Sequence, residues 1–306
     1  MSAISEPAAA MSGAPEHRGL GATLDVLRAV ASRPAGAIGL ALTMLIAIVA
    51  IFAPLIARGD PFALSSPALL APSGTHPFGT DNLGREMFRA VVHGVRTSMT
   101  VVLFVTLISG VIGIVVGAIA GYLGGFVERS LMRLTEYFQA IPPFFLALLA
   151  LVLLGRTLQT LILVLGLTSW TLLARVVRAD ALSLRSREYV QAARSFGASA
   201  PRILVRHVVP NLLPSALVVI SLNASRVILV EAGLAYLGLS DPNQMSLGFL
   251  INNAQPFLQQ AWWMSVFPGV AILLAVLGIN LLADSLNDVL DPLVRPGLGE
   301  TRTAGT

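Results

Sequence analysis

The sequence predicts an all-α integral membrane protein with six transmembrane helices, and three observations lead there. Of its 306 residues, 55% are hydrophobic and only 12% charged, against roughly 25% charged in soluble domains. The apolar residues gather into runs without Asp, Glu, Lys or Arg at 34–57, 97–127, 137–155, 157–174 and 242–283. A bilayer-spanning helix needs roughly 20 mostly apolar residues, a length several of these runs reach. Between the runs lie short segments that hold the arginines, as orientation signals do.

Taken in order, residues 1–33 contain Glu6, Glu16 and Asp25 and no apolar core. They read as a flexible cytosolic tail and not as a cleavable signal peptide. Residues 34–96 hold the first span, 36–56, then an outer loop and an amphipathic stretch. In that stretch Arg85, Arg89, His93 and Arg96 share one helical face, with Phe88, Val91, Val92 and Val95 opposite. The pattern suits a helix lying in the membrane interface, its arginines among headgroups, and equally an amphipathic lead-in to the second span. Residues 97–292 form the core, with spans at 98–120, 137–154 (beginning near Ile141-Pro142-Pro143), 158–177, 214–237 and 266–286; 293–306 are a second cytosolic tail. Gly110, Gly113, Gly117 and Gly121 recur at helical spacing in the second span, leaving a groove for a neighbouring helix. The uncharged segment 242–263 ends in Trp262-Trp263, which suits the aromatic belt at the membrane surface.

All 20 basic residues are arginine. With the N-terminus inside, fourteen fall in cytosolic segments, five outside, and Arg226 within the fifth span. Both termini are therefore expected in the cytosol. A net charge of +4 so distributed is a topology signal and does not point to nucleic acid. The absence of cysteine excludes a disulfide framework, a thiolate metal site and a cysteine nucleophile. The absence of lysine excludes the usual phosphate-binding ATPase loop. His17, His76, His93 and His207 have no metal-site spacing. No catalytic constellation is present, so the chain is not expected to be an enzyme by itself.

The longest inner segment reads as a helix–turn–helix elbow over 185–214. Glu188 to Phe196 lacks Gly and Pro; Gly197 stands where a helix end wants a left-handed residue. Ser199 can cap a second helix with Pro201 near its first position, and Pro210 and Pro214 are expected to close it. Here the sequence resembles the transmembrane subunits of binding-protein-dependent ABC importers, whose signature is Glu-Ala-Ala, three residues, Gly, nine residues, Ile, one residue, Leu-Pro. Ala192-Ala193, Gly197 and Pro210 match it, while Gln191, His207 and Val209 replace the Glu, Ile and Leu. Those departures are typical of the peptide and nickel branch, whose members usually carry a Glu where Glu188 stands. Phe78 to Arg85, Ala174 to Arg178, Glu231 to Leu239 and Asn280 to Pro292 are similar to segments of the C-type dipeptide and oligopeptide permeases.

The resemblance implies the type I importer permease fold in a bacterial cytoplasmic membrane. It implies a pseudo-symmetric pair with a second homologous permease, two ATPase subunits seated on the elbow, and an extracytoplasmic binding protein that delivers substrate. Lipid surrounds the spans; ATP and Mg belong to the partner ATPases, and this chain needs no cofactor. Dipeptides are the first expected cargo, then longer peptides, nickel chelates and glutathione. Glu188, Ala192, Ala193, Arg194, Gly197, Pro201, Arg202, Arg206, His207 and Pro210 are the expected coupling residues: small residues let the elbow seat, and the arginines meet an acidic partner. Arg226 and Glu231 are costly at membrane depth, which makes both candidates for the translocation path or for contacts between spans. At five residues apart they point in different directions on a helix, about 140° apart. An ion-coupled secondary transporter would use Glu231 but leave the elbow unexplained. An intramembrane enzyme would need clustered catalytic residues, which the sequence lacks.

Overall fold

In a computed structural model, residues 20–290 are described, with side chains from Asp25 onward. The tails 1–19 and 291–306, with His17, Arg18, Arg295 and Arg302, lie outside the described residues. Twelve α-helices, and no strands, form the described part. Within the stretch expected as tail, the described residues open with a helix, α1 (Leu20–Ala31). A proline at the start of the next helix, where its missing N–H costs little, opens α2 (Pro34–Ile56), the first span.

α3 (Met87–Leu123) runs 37 residues without a break, about 55 Å at 1.5 Å per residue. There is thus no separate interfacial helix at 85–96. Val91, Val92 and Val95 are buried in protein contacts, His93 meets the Ala57 carbonyl at 2.9 Å, and the amphipathic stretch is the first three turns of the second span.

The third span is not the single helix expected at 137–154. α4 (Gly125–Ala140) and α5 (Pro143–Leu154) meet at a 72° bend. Ile141 precedes Pro142, and Pro142 precedes Pro143, so neither adopts helical torsions easily. α4 carries Glu128, Arg129, Arg133 and Glu136; α5 is wholly apolar but only about 18 Å long, short of a roughly 30 Å hydrocarbon core.

α6 (Leu158–Thr168) and α7 (Thr171–Arg185) are separated at Ser169 and Trp170 and together make the fourth span, eight residues longer than expected. The elbow helix α8 (Glu188–Ser195) follows, then α9 (Ala200–Ile203), a π-helical turn (Leu204–Val208), and α10 (Val209–Tyr236). α11 (Leu247–Ala254) is a short helix in the segment read as a loop, and α12 (Trp263–Leu290) is the last span.

Packing follows the glycine stripe of α3. A Cβ on Gly113 would lie 2.9 Å from the Leu173 Cβ, and one on Gly117 2.5 Å from the Ala174 carbonyl. The stripe is therefore the seat of α7. Arg178 of α7 is ion-paired with Glu128 of α4, its Nε 2.7 Å from the carboxylate, which ties the bent pair to the bundle. At the end of the bundle away from the elbow, the loop 58–86 folds over α11 and α12. There Trp263 is buried and its indole N–H donates to the Thr80 carbonyl at 3.0 Å. Trp263 is thus a core residue and not part of an aromatic belt; Trp262 is exposed.

Candidate functional site: the elbow and the charges within the spans

α8 is a short helix whose ends match its dipole, with Glu188 in the first turn and Arg194 in the last. It stops in a Schellman motif, as the glycine led one to expect. Gly197 has φ +79°; its N–H bonds the Arg194 carbonyl at 3.0 Å, and the Ala198 N–H reaches the Ala193 carbonyl at 3.1 Å. A left-handed residue is required there, and glycine adopts it at least cost.

The second half of the elbow departs from expectation in two ways. Ser199 stands at the N-cap of α9 with its backbone extended, but its side chain makes no capping bond. Pro210 and Pro214 do not close a helix: the chain from Ala200 to Tyr236 is one long span. The π-helical turn places the Val209 N–H on the Leu204 carbonyl and brings Pro210 in at the start of α10, where a proline is tolerated. The Asn211 side-chain amide, 2.6 Å from the His207 carbonyl, supplies a further donor.

One face of the elbow is anchored. Val190, Ile203, Val208 and Leu212 are buried together with Leu173, Val177 and Ala181 of α7, with Ala193 packed against them. The Tyr189 and His207 rings stand 6.5 Å apart across the turn. The other face is bare: Glu188, Ala192, Arg194, Gly197, Pro201, Arg202, Arg206 and Pro210 are exposed, and Ala193 and His207 half-buried. No ion pair engages Glu188, Arg194, Arg202 or Arg206 among the described residues. Phe196 is 91% exposed, with Val205 and Tyr189 also in solvent reach.

Those three apolar residues were not singled out from sequence. The signal was present: Tyr189, Ala192 or Ala193, and Phe196 recur at i, i+3/i+4 and i+7, an apolar stripe distinct from the one led by Val190.

The charges within the spans separate as their spacing predicts. Glu231 on α10 is 3% exposed. It accepts a hydrogen bond from the Ser98 hydroxyl of α3 at 3.0 Å, and Ser246, the N-cap of α11, stands beside it. The same Ser98 oxygen accepts from the Leu247 N–H at 3.3 Å. Glu231 thus joins three elements, and Ser98 and Ser246 are partners that the sequence did not reveal. Arg226 faces outward from the chain, exposed and with no side-chain partner among the described residues. Neither residue bonds the other.

The depth of Arg226 follows from its neighbours. Glu231 lies opposite Ser98, and Asn223 donates to Ser109 at 3.3 Å, so Arg226 stands level with a point between Ser98 and Ser109, within the charge-free stretch of α3. No group of three or more His, Cys, Asp or Glu that could hold a metal occurs among the described residues.

Comparison with known proteins converges on one family. Residues 113–296 match the family described as binding-protein-dependent transport system inner membrane component. The oligopeptide transport system permease protein OppC of Bacillus subtilis is 35% identical over 298 residues, 95% of this chain and 97% of that protein. The dipeptide transport system permease protein DppC of Alkalihalophilus pseudofirmus is 34% identical over 261 residues, covering 84% and 86% of the two chains. Among solved structures, a chain of the inward-facing MetNI methionine ABC transporter aligns with a TM-score of 0.55 at 19% identity. The alignment spans 66% of this chain and 97% of that one, a likeness of fold alone. The bundle of spans, the elbow between α7 and α10 and the family match agree: this chain belongs to the binding-protein-dependent transport system inner membrane component family, the transmembrane subunits of ABC importers.

Proposed function

We propose that this chain carries peptides across a bacterial cytoplasmic membrane as one of two permease subunits, with both termini in the cytosol. A separate extracytoplasmic binding protein delivers the cargo, and two ATPase subunits, which hold ATP and Mg, seat on the elbow at 185–214. The core of the machine is 97–292; the preceding span packs against it from outside. Peptide cargo is supported by the relatives, which are oligopeptide and dipeptide permeases, and orientation by the arginine asymmetry of the sequence, fourteen against five.

The single observation that carries the coupling role is the bare face of the elbow. A phenylalanine 91% exposed, flanked by three unpaired arginines, is the surface of a helix that docks elsewhere. Aromatic and arginine side chains are enriched among residues that dominate binding energy. Closure of the ATPases would move the elbow, and the rigid span 200–236 would carry that movement into the bundle. Within the membrane, Arg226 fits a water-lined path between the two permeases, because a cation facing lipid at that depth is costly. Glu231, already satisfied inside the chain, fits a contact that holds the spans together.

The test is Phe196→Ala in the assembled complex. Because the side chain is exposed, its loss costs the fold nothing. ATPase retention in a pull-down should weaken by roughly 30-fold, the effect of about 2 kcal/mol at a binding hot spot, and uptake of labelled dipeptide should fail. Wild-type retention and uptake would remove the coupling role from this face. Competition of that uptake by longer peptides, a nickel chelate or glutathione identifies the cargo class.

A further inference from the structure

Between α2, α3 and α12, away from the elbow, the bundle leaves an open crevice of about 530 Å³. Its walls are apolar: Ile46, Ala47, Ala50, Met99, Leu103 and Ala275. From Ile51 to Thr43 it follows α2 for eight residues, about 12 Å. That is close to the depth of one hydrocarbon leaflet, half of a roughly 30 Å core. Arg96 and Thr100 stand on its rim, and both also line an adjoining recess of about 390 Å³ whose other walls include Asp60, His93, Asn243 and Gln244.

Arg96 immediately precedes the charge-free run of α3, so it marks the level at which that helix passes from polar to apolar surroundings. It is exposed, and its guanidinium has no hydrogen-bond or ion-pair partner among the described residues; only its backbone is engaged, in the helix and by the Thr100 hydroxyl on its carbonyl at 2.8 Å. The nearby Arg89 and Arg85, by contrast, lean on the Asp60 carbonyl and on Asp81.

We infer that this paired cavity is a binding site for one anionic phospholipid. An acyl chain lies in the crevice against α2 and α3, the phosphate is held by the Arg96 guanidinium, and the headgroup enters the recess beside His93, Asn243 and Gln244. Arg96 supplies the positive charge at the rim, and the one carboxylate of the recess, Asp60, accepts the Phe62 N–H at 2.9 Å. A planar guanidinium matches a phosphate with two parallel hydrogen bonds, and it stands at the junction of an apolar and a polar cavity, as an amphiphile requires. A crevice with apolar walls at membrane depth does not hold water. The site would fasten the first span to the core, since α2 forms one wall and α3 and α12 the others.

The experiment uses the assembled complex reconstituted in nanodiscs of phosphatidylglycerol or of phosphatidylcholine, released and weighed by native mass spectrometry. Wild type should retain phosphatidylglycerol in preference to phosphatidylcholine. Arg96→Gln, which removes the anion's partner, and Ala47→Trp, which fills the crevice from an exposed position, should each lower that retention at least tenfold. Should Arg96→Gln fail to assemble, Ala47→Trp carries the test alone. Inorganic phosphate at millimolar concentration should not displace the lipid. Equal retention in all three proteins, equal retention of the two lipids, or displacement by inorganic phosphate would overturn the proposal. So would crosslinking of Ala47→Cys to a cysteine placed in a span of the second permease, because that span would then occupy the crevice; this chain has no native cysteine to compete.

Discussion

The long rod from Ala200 to Tyr236 is flanked by two copies of the same backbone device with opposite surroundings. Gly197, just before it, has φ +79°; Gly238, just after it, has φ +80°. At each, two N–H groups close a Schellman motif: Gly238 onto the Ala235 carbonyl at 2.9 Å and Leu239 onto the Leu234 carbonyl at 3.0 Å, as Gly197 and Ala198 do at the elbow. Beyond Gly238 the chain turns its polar groups inward. Thr80, Asp81, Glu231, Ser246 and Trp263 are all buried, and the Asp81 carboxylate takes the Leu83 and Arg85 N–H groups at 2.8 Å each. Beside Gly197 the chain turns Phe196, Tyr189 and Val205 outward with unpaired arginines. One end is held by a buried polar network within the chain; the other presents a bare apolar and cationic face. A buried polar network is costly to break, whereas loss of a bare interface residue leaves the fold untouched and is felt only when the partner binds, so the two ends should respond to mutation in different assays.

The largest effect should come from the closed end. Trp263→Ala removes a buried ring and the bond to Thr80, at a cost of order 3–5 kcal/mol for a large aromatic in a core. The yield and thermal midpoint of the complex should drop sharply, with any surviving complex still binding ATPases. Unchanged stability would mean that the closed end is not what holds the far side of the bundle.

Next comes Glu231. Glu231→Ala leaves Ser98 and Ser246 without their acceptor and should cost about 1–3 kcal/mol, read as lost assembly, while Glu231→Gln keeps an acceptor and should retain most of it. Arg226→Gln, five residues away and facing outward, should leave assembly alone and depress uptake. If Glu231→Ala assembles normally but fails in uptake, the roles given to the two charges exchange.

Legibility from sequence follows the same division between local and long-range physics. The spans were legible because charge-free runs report the bilayer directly, and the glycine stripe because small residues at helical spacing admit few readings. Gly197 was legible for a local reason: a helix that must stop without a proline needs a left-handed residue. The 72° bend at Pro142 was not, because a proline pair marks a break without giving its angle. The prolines at 210 and 214 misled: a π-helical turn admits the first at the start of α10, and the second stands inside that helix without ending it. The unbroken α3 was hidden by its own arginines, which look interfacial until α2 and the loop 58–86 are seen packed against their helix. The partners of Glu231 come from positions 133 residues before it, at Ser98, and fifteen after, at Ser246, and no spacing rule reaches that far.

The smallest effect, and the sharpest comparison, is a pair of single methyl groups. A Cβ at Gly197 or at Gly238 would meet no atom within 4 Å, so an alanine at either position is strained by its backbone alone, at roughly 1 kcal/mol. Asparagine tolerates that conformation better and should recover part of the loss at both. In thermal unfolding of the purified complex, Gly197→Ala and Gly238→Ala should therefore look alike. ATPase binding should separate them. At Gly197 the motif sets the direction of Phe196 and the spacing of α8 from α9, so a cap populated less often presents the docking face less often, and a penalty of about 1 kcal/mol becomes about a fivefold weaker pull-down. At Gly238 the same strain falls where the chain already satisfies itself, and ATPase binding should not move. Equal weakening of ATPase binding by the two alanines would show that the elbow responds to overall stability, and the division between a closed end and an open one would fail.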